Sequence, residues 1–147
     1  MNTIFKGKHW SIQRFISGFA NNAFLITCKQ TNKSVIIDTP AEPRSLIGAA
    51  KNTEVTAILI THGHRDHVDG LMDVTRHFDV PIGIGIADRG SLPESAQTST
   101  NFATDHDLEI GNIVIQAVAT PGHTQGSTCF IVQPINNDDE HAHIFSG

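Results

Sequence analysis

Thr61-His62-Gly63-His64-Arg65-Asp66-His67 is the stretch on which the reading of this chain turns. Four ligand-type side chains, His62, His64, Asp66 and His67, are packed into one short span. The apolar run Ala57-Ile58-Leu59-Ile60 leads into it, and an amphipathic segment from Val68 leads out. That pattern describes a strand that ends in a ligand-bearing loop and opens a helix. Zinc takes neutral imidazole nitrogen and carboxylate oxygen, and its catalytic sites keep a position open for water. His62 and His64, two apart in a loop, can turn toward one metal ion. Asp66 and His67 can turn toward a second point nearby. A solvated polar turn would explain a single histidine; it is a poor explanation of His-x-His-x-Asp-His behind an apolar strand.

Composition sets the frame for that site. The chain has 147 residues, a length that suggests one domain over 1–147. Hydrophobic residues make up 39% and charged residues 17%, ordinary for a globular protein and no sign of disorder. Net charge is -5, and no Lys/Arg cluster appears, which disfavours a nucleic-acid partner. No apolar run approaches the roughly 18 residues of a membrane span, and Met1-Asn2-Thr3-Ile4-Phe5-Lys6 has no secretory apolar core. A cytoplasmic location without a membrane partner is therefore the expectation. Cys28 and Cys129 each sit in an apolar run and read as buried thiols acting as small hydrophobes. The other histidines, His9, His77, His106, His141 and His143, read as surface or structural.

Working outward from the ligand stretch, Ser11 to Ile16 partly alternates, and a turn at Ser17-Gly18 follows. Asn22 to Cys28 and Ser34 to Asp38 read as strands joined by the turn Gln30-Thr31-Asn32-Lys33, a hairpin. Val35-Ile36-Ile37 suits a strand buried on both faces. Pro43 pre-sets a helix start, with Leu46, Ile47 and Ala50 on one face. Thr56 to Thr61 is the strand before the ligand stretch. Val68, Leu71, Met72, Thr75 and Phe78 recur at helical spacing, and Gly70 within that helix suggests close backbone packing. Pro81 to Ile86 reads as a further buried strand, and Ser91 to Asn101 as a surface loop or short irregular helix. Gly111-Asn112 between Leu108–Ile110 and Ile113–Thr120 signals a hairpin. Ser127 to Val132 is another strand, Asn136 to Glu140 a solvated turn, and His143 to Ser146 the start of a last strand. The order of elements predicts a mixed sheet protein, α/β or α+β, with ligand loops at the C-terminal ends of strands.

A second constellation, Thr120-Pro121-Gly122-His123-Thr124-Gln125-Gly126-Ser127, lies between two of these strands. Its Pro and Gly residues force a tight loop that can hold His123 off the strand axis. His62 and His64 need a third protein ligand to complete a three-ligand zinc site, and His123 is the best-placed candidate. Taken together, His-x-His-x-Asp-His and Thr-Pro-Gly-His-Thr-x-Gly-Ser resemble the metallo-β-lactamase superfamily. Asn21-Asn22-Ala23-Phe24-Leu25-Ile26 and Val35-Ile36-Ile37-Asp38-Thr39 share the resemblance, which runs from about Ser11 to Gly147.

The resemblance implies a four-layer αβ/βα sandwich, of which this chain would form the N-terminal part, with the metal site at one edge of the two sheets. It implies one metal held by His62, His64 and His123 and a second by Asp66 and His67. It also implies that Asp38 orders the ligand loops; a helix N-cap is the other reading of that residue. Ile144-Phe145-Ser146-Gly147 resembles the strand before the family's metal-bridging aspartate, which would follow next. A later histidine is absent too. A chain with these gaps is expected to bind one metal through three histidines and the second weakly, and to be a weak catalyst alone.

The leading functional expectation is a metal-dependent hydrolase of an ester, thioester or lactam, similar to the glyoxalase-II-like thioesterases. Two metal ions, Zn2+ for preference, would activate a water and polarise a small-molecule substrate, with Asp66 orienting the nucleophile or accepting a proton. Two alternatives stand beside it: a mononuclear-iron oxygenase resembling persulfide dioxygenases, and a non-catalytic metal-binding fragment. The sequence carries no reading of oligomeric state.

Overall fold

The computed structural model describes residues 2–17, 21–97, 107–135 and 142–146. Two sheets dominate. The first has six strands in the order β1-β2-β3-β4-β5-β6, formed by Asn2–Lys6, Trp10–Ser17, Asn21–Cys28, Lys33–Ile37, Glu54–Ile60 and Ile82–Ile84. Its first four strands pair antiparallel, and β4, β5 and β6 run parallel. The second sheet is antiparallel, in the order β10-β9-β8-β7, from His143–Phe145, Thr128–Pro134, Ile113–Ala119 and Asp107–Ile110. The expected mixed α/β architecture is present.

Alternation of side chains across the first sheet divides the interior in two. Ala23, Leu25, Ile36, Ile58 and Ile60 point to one face and pack against Leu46, Ile47 and Ala50 of helix α1 (Arg44–Ala50) and Leu71 and Val74 of α3 (Leu71–His77). Ile26, Val35, Ile37, Ala57 and Leu59 point to the other and meet Ile113, Ile115, Phe130 and Val132 of the second sheet. The strands β4 and β5 are therefore buried on both sides, as the continuous run Val35-Ile36-Ile37 predicts for β4. Each buried Ile or Leu of this kind contributes about 1.5–3 kcal/mol relative to exposure. Among the described residues the helices with buried apolar side chains all lie against the first sheet, forming the α, β and β layers of a sandwich.

Several boundaries differ from expectation. The amphipathic segment after the ligand stretch is two helices, α2 (Arg65–Val68) and α3, broken at Asp69 and Gly70. The loop after β4 inserts there: the Thr39 N–H donates to the His67 carbonyl at 2.9 Å, and the Gly70 N–H donates to the Thr39 carbonyl at 2.8 Å. Those bonds occupy groups a continuous helix would use for itself. Gly70 is required by contact, since a Cβ there would lie 2.2 Å from the Pro40 carbonyl oxygen.

The strand expected over Pro81 to Ile86 is only β6. Its end turns into a 3-10 helix, Ile86–Ser91, closed by the Asp88 N–H donating to the Gly85 carbonyl at 2.8 Å. Ile86, read as core, is 73% exposed. The segment from Ser91 contains a short helix, α4 (Glu94–Gln97); residues 98–101 lie outside the described ones. Strand β1 was not anticipated, because its polar and apolar residues show no sustained alternation. Both hairpins agree with expectation, the second turning at Gly111 with φ 55°. The turn over Asn136 to Glu140, and Gly18 of the first turn, lie outside the described residues. Cys28 is buried as expected, Cys129 only half-buried. The His143 ring packs against that of Phe5 at 4.3 Å between centres and tilted by 54°, a structural setting.

Candidate metal centre

Three adjacent parallel strands deliver the site. Asp38 follows β4, the ligand stretch follows β5, and Asp88 follows β6, so all three arrive at the C-terminal edge of the first sheet. The loop with His123 arrives from the second sheet, between β8 and β9. The Thr128 N–H donates to the Thr61 carbonyl at 2.8 Å and joins the two edges.

The five residues singled out by sequence fall into two clusters that share His62. Ligand atoms of His62, His64 and His123 all lie within 4.8 Å of one another, and so do those of His62, Asp66 and His67. The His64 and His123 rings are 4.4 Å apart between centres, and those of His62 and His67 4.1 Å. His62 and His67 are buried, whereas His64, Asp66 and His123 face solvent. The cluster is thus buried on one side and open to solvent on the other.

Asp38 holds the buried half. Its Oδ1 accepts the Thr61 N–H at 2.8 Å, and its Oδ2 accepts the Thr61 hydroxyl at 2.7 Å and His67 Nδ1 at 2.9 Å. It does not cap α1, whose N-cap is Pro43. Of the two readings of Asp38, ordering the ligand loops is the one its contacts match. Its φ of 62° lies in the left-handed region, which Asp tolerates better than most residues.

These bonds also select tautomers. The Thr61 hydroxyl spends its proton on Asp38, so at 3.1 Å it accepts from Nδ1–H of His62. His67 likewise donates from Nδ1 to Asp38. In the neutral ring, both then carry a lone pair on Nε2, the state a metal ligand requires.

Electrostatics separate the two buried histidines. Burial lowers the His62 pKa, and the nearby His67 lowers it further, against an opposing pull from Asp38. His62 is thereby held neutral near pH 7. The hydrogen bond to Asp38 raises the His67 pKa, outweighing burial, and the charges of Asp38 and Asp66 add to the rise.

Sequence reading missed Asp88. It is buried, and it accepts the Gly63 N–H at 2.8 Å, the Gly126 N–H at 2.9 Å and the Thr124 hydroxyl at 2.5 Å. Burial raises its pKa, but the bonds from Thr124, Gly63 and Gly126 and the nearby His62 outweigh this and hold the carboxyl below its usual value. Nothing in Ile86-Ala87-Asp88-Arg89-Gly90 resembles a ligand motif, so only the fold reveals it.

A sequence profile of the Metallo-beta-lactamase superfamily matches residues 16–133. A probable hydroxyacylglutathione hydrolase from Schizosaccharomyces pombe is 34% identical over 133 residues, covering 86% of this chain and 48% of the relative. A second probable hydroxyacylglutathione hydrolase of the same yeast is 35% identical over 123 residues, covering 78% of this chain and 45% of the relative. The chain thus spans about half the length of these relatives. Among solved structures, a metallo-beta-lactamase from Staphylococcus aureus aligns with a TM-score of 0.77 at 24% identity, over 95% of this chain and 43% of that one. With the profile covering most of its length and the two sheets superposing on a solved member, this chain belongs to the metallo-beta-lactamase superfamily.

Proposed function

We propose that this protein is a metal-dependent hydrolase of a small-molecule thioester, within the broader class of ester, thioester and lactam hydrolases. The observation that carries the reading is the pair of ligand clusters sharing His62 at the C-terminal edge of the first sheet. The donor set fits zinc, which takes imidazole and carboxylate ligands. His62, His64 and His123 would hold one ion, and Asp66 and His67 would hold a second. When bound, such ions lower the pKa of water and polarise a carbonyl.

The chain's own groups do the remaining work. Asp38 and Thr61 keep His62 and His67 in the tautomer that offers Nε2. The Asp66 side chain, 50% exposed, has Oδ2 3.5 Å from His67 Nε2, and it can accept a proton at the open face. A cavity lined by both sheets, through Arg14, Asn22, Phe24, His143 and Phe145, opens onto Asp38 and His67. It offers a small molecule Ile and Phe walls interleaved with polar groups from Arg14, Asn21, Asn22 and His143.

Thioester is preferred because two relatives are named hydroxyacylglutathione hydrolases. The oxygenase reading finds no support among the relatives named above. No helix among the described residues is long and apolar enough to cross a membrane. The test is to load the full-length protein with zinc or iron and measure hydrolysis of a glutathione thioester and of a β-lactam. Zinc-dependent thioester cleavage, lost in Asp66→Ala with the fold intact, is the expected result. Zinc-loaded protein cleaving neither substrate would overturn hydrolysis, and iron-dependent oxygen uptake would favour the oxygenase.

A further inference from the structure

Asp88 is a buried carboxylate with no place in the ligand set, and its three partners all belong to the two ligand loops. Gly63 lies between His62 and His64. Thr124 follows His123, and Gly126 is two residues further on. Burying a carboxylate is costly unless hydrogen bonds replace its water. Here the replacement comes wholly from the segments that carry the histidines.

The surroundings are shaped to admit it. A Cβ on Gly126 would lie 2.6 Å from Asp88 Cγ, and one on Gly63 would lie 3.2 Å from Asp88 Cβ and 2.7 Å from Ser91. Gly85, at the start of the same turn, leaves room for the Gly126 carbonyl, 2.1 Å from where its Cβ would be. Thr124 is itself held, its N–H donating to Ser127 Oγ at 3.0 Å. The 3-10 helix after β6 is thus wedged between two loops that start from different sheets.

His62 and His67 are buried and held by Thr61 and Asp38. His64 and His123 are exposed and lack such support, yet their ring centres lie 4.4 Å apart. Asp88 bonds a residue adjacent to each. We infer that Asp88 is a positioning residue that sets the separation of His64 and His123, and so governs the affinity and geometry of the three-histidine metal site. The inference rests on the metal-centre reading above. It goes further by assigning control of one cluster to a residue outside both.

Asparagine at this position still has one accepting oxygen, but its amide nitrogen must face either the Gly63 or the Gly126 N–H, so one loop is released. The experiment compares wild type, Asp88→Asn, Thr124→Val and the core control Val74→Ala, each freed of metal. Zinc affinity is measured with a competing chelator, Co2+ visible absorption reports coordination geometry, and melting temperature is read without metal. Asp88→Asn is expected to bind its first zinc about 10–100-fold more weakly, in the range seen when groups supporting ligands are removed, with an altered Co2+ spectrum. Thr124→Val, which releases one of the three bonds, is expected to show a smaller change in the same direction and to report even if Asp88→Asn fails to fold. Val74→Ala should lose melting temperature and keep wild-type zinc affinity and Co2+ spectrum.

Wild-type zinc affinity and an unchanged Co2+ spectrum in Asp88→Asn, with only the melting temperature lowered, would overturn the inference and leave the metal centre standing. The same holds for Thr124→Val if it is the variant that folds. A wild-type chain that binds neither zinc nor Co2+ would overturn the metal-centre reading itself, and this inference with it.

Discussion

Single carboxylates decide much of this site. Asp38 is 1% exposed and satisfies Thr61 twice and His67 once. Removing it leaves buried donors without acceptors, each at a cost of about 1–3 kcal/mol. Alanine would also be forced into the left-handed φ of 62°, adding about 1 kcal/mol. Urea denaturation should therefore rank wild type above Asp38→Asn and Asp38→Asn above Asp38→Ala, with the alanine variant down by about 3 kcal/mol or more. Equal stability of the two variants would refute the account. Asp88 predicts a pH effect. Its folded pKa lies below the ordinary 3.8, so its contribution is complete above that value and is lost as pH falls through the folded pKa. Metal-free wild type should lose stability relative to Asp88→Asn below about pH 4. Parallel acid limbs for the two proteins would count against the assignment.

At the scale of elements, two glycines in the helical layer make opposite predictions. Gly70 sits where α2 gives way to α3, with the Pro40 carbonyl where its Cβ would be. Gly70→Ala must push the loop after β4 outward, and a loss of about 1–3 kcal/mol is expected from overpacking. Gly48 is exposed on α1 with nothing near its Cβ position. Gly48→Ala should raise stability by about 0.5–1 kcal/mol through helix propensity alone. Thermal melts of the two variants check both signs. The sequence singles out Gly70 for close backbone packing, as the structure bears out, but helical periodicity does not say what packs there. The difference lies in a carbonyl thirty positions upstream of Gly70 and absent from Gly48.

Across the whole molecule, the two sheets meet at the candidate metal centre, with His62, His64 and His67 brought by one and His123 by the other. Zinc should therefore act as a clasp between them. A ligand at about 100 times its Kd stabilises by about 2.7 kcal/mol, so the melting temperature should rise on zinc addition. His123 is exposed, so His123→Ala should change metal-free stability by no more than about 0.5 kcal/mol. It should, however, remove most of the zinc-induced rise. An undiminished rise in that variant would mean that zinc does not bridge the sheets.

The sequence by itself determined the elements that local pattern specifies. Val35-Ile36-Ile37 announces a strand buried on both faces, Ala57-Ile58-Leu59-Ile60 the strand that leads into the ligand stretch, Gly111-Asn112 a hairpin, and the close spacing of His62, His64, Asp66 and His67 a candidate metal cluster, because spacing along the chain survives folding. His123 was legible only once paired with that first motif. Tertiary structure alone decided the rest: the break at Gly70, the early end of β6, the pairing of β1, the choice between two roles for Asp38, and Asp88 altogether. Each depends on a partner brought close from a distant part of the chain, the Thr39 and Pro40 carbonyls for Gly70 and the Gly63 and Gly126 amides for Asp88. A backbone N–H or C=O is common to nearly every residue, so no pattern of side chains marks in advance which of them will need a carboxylate.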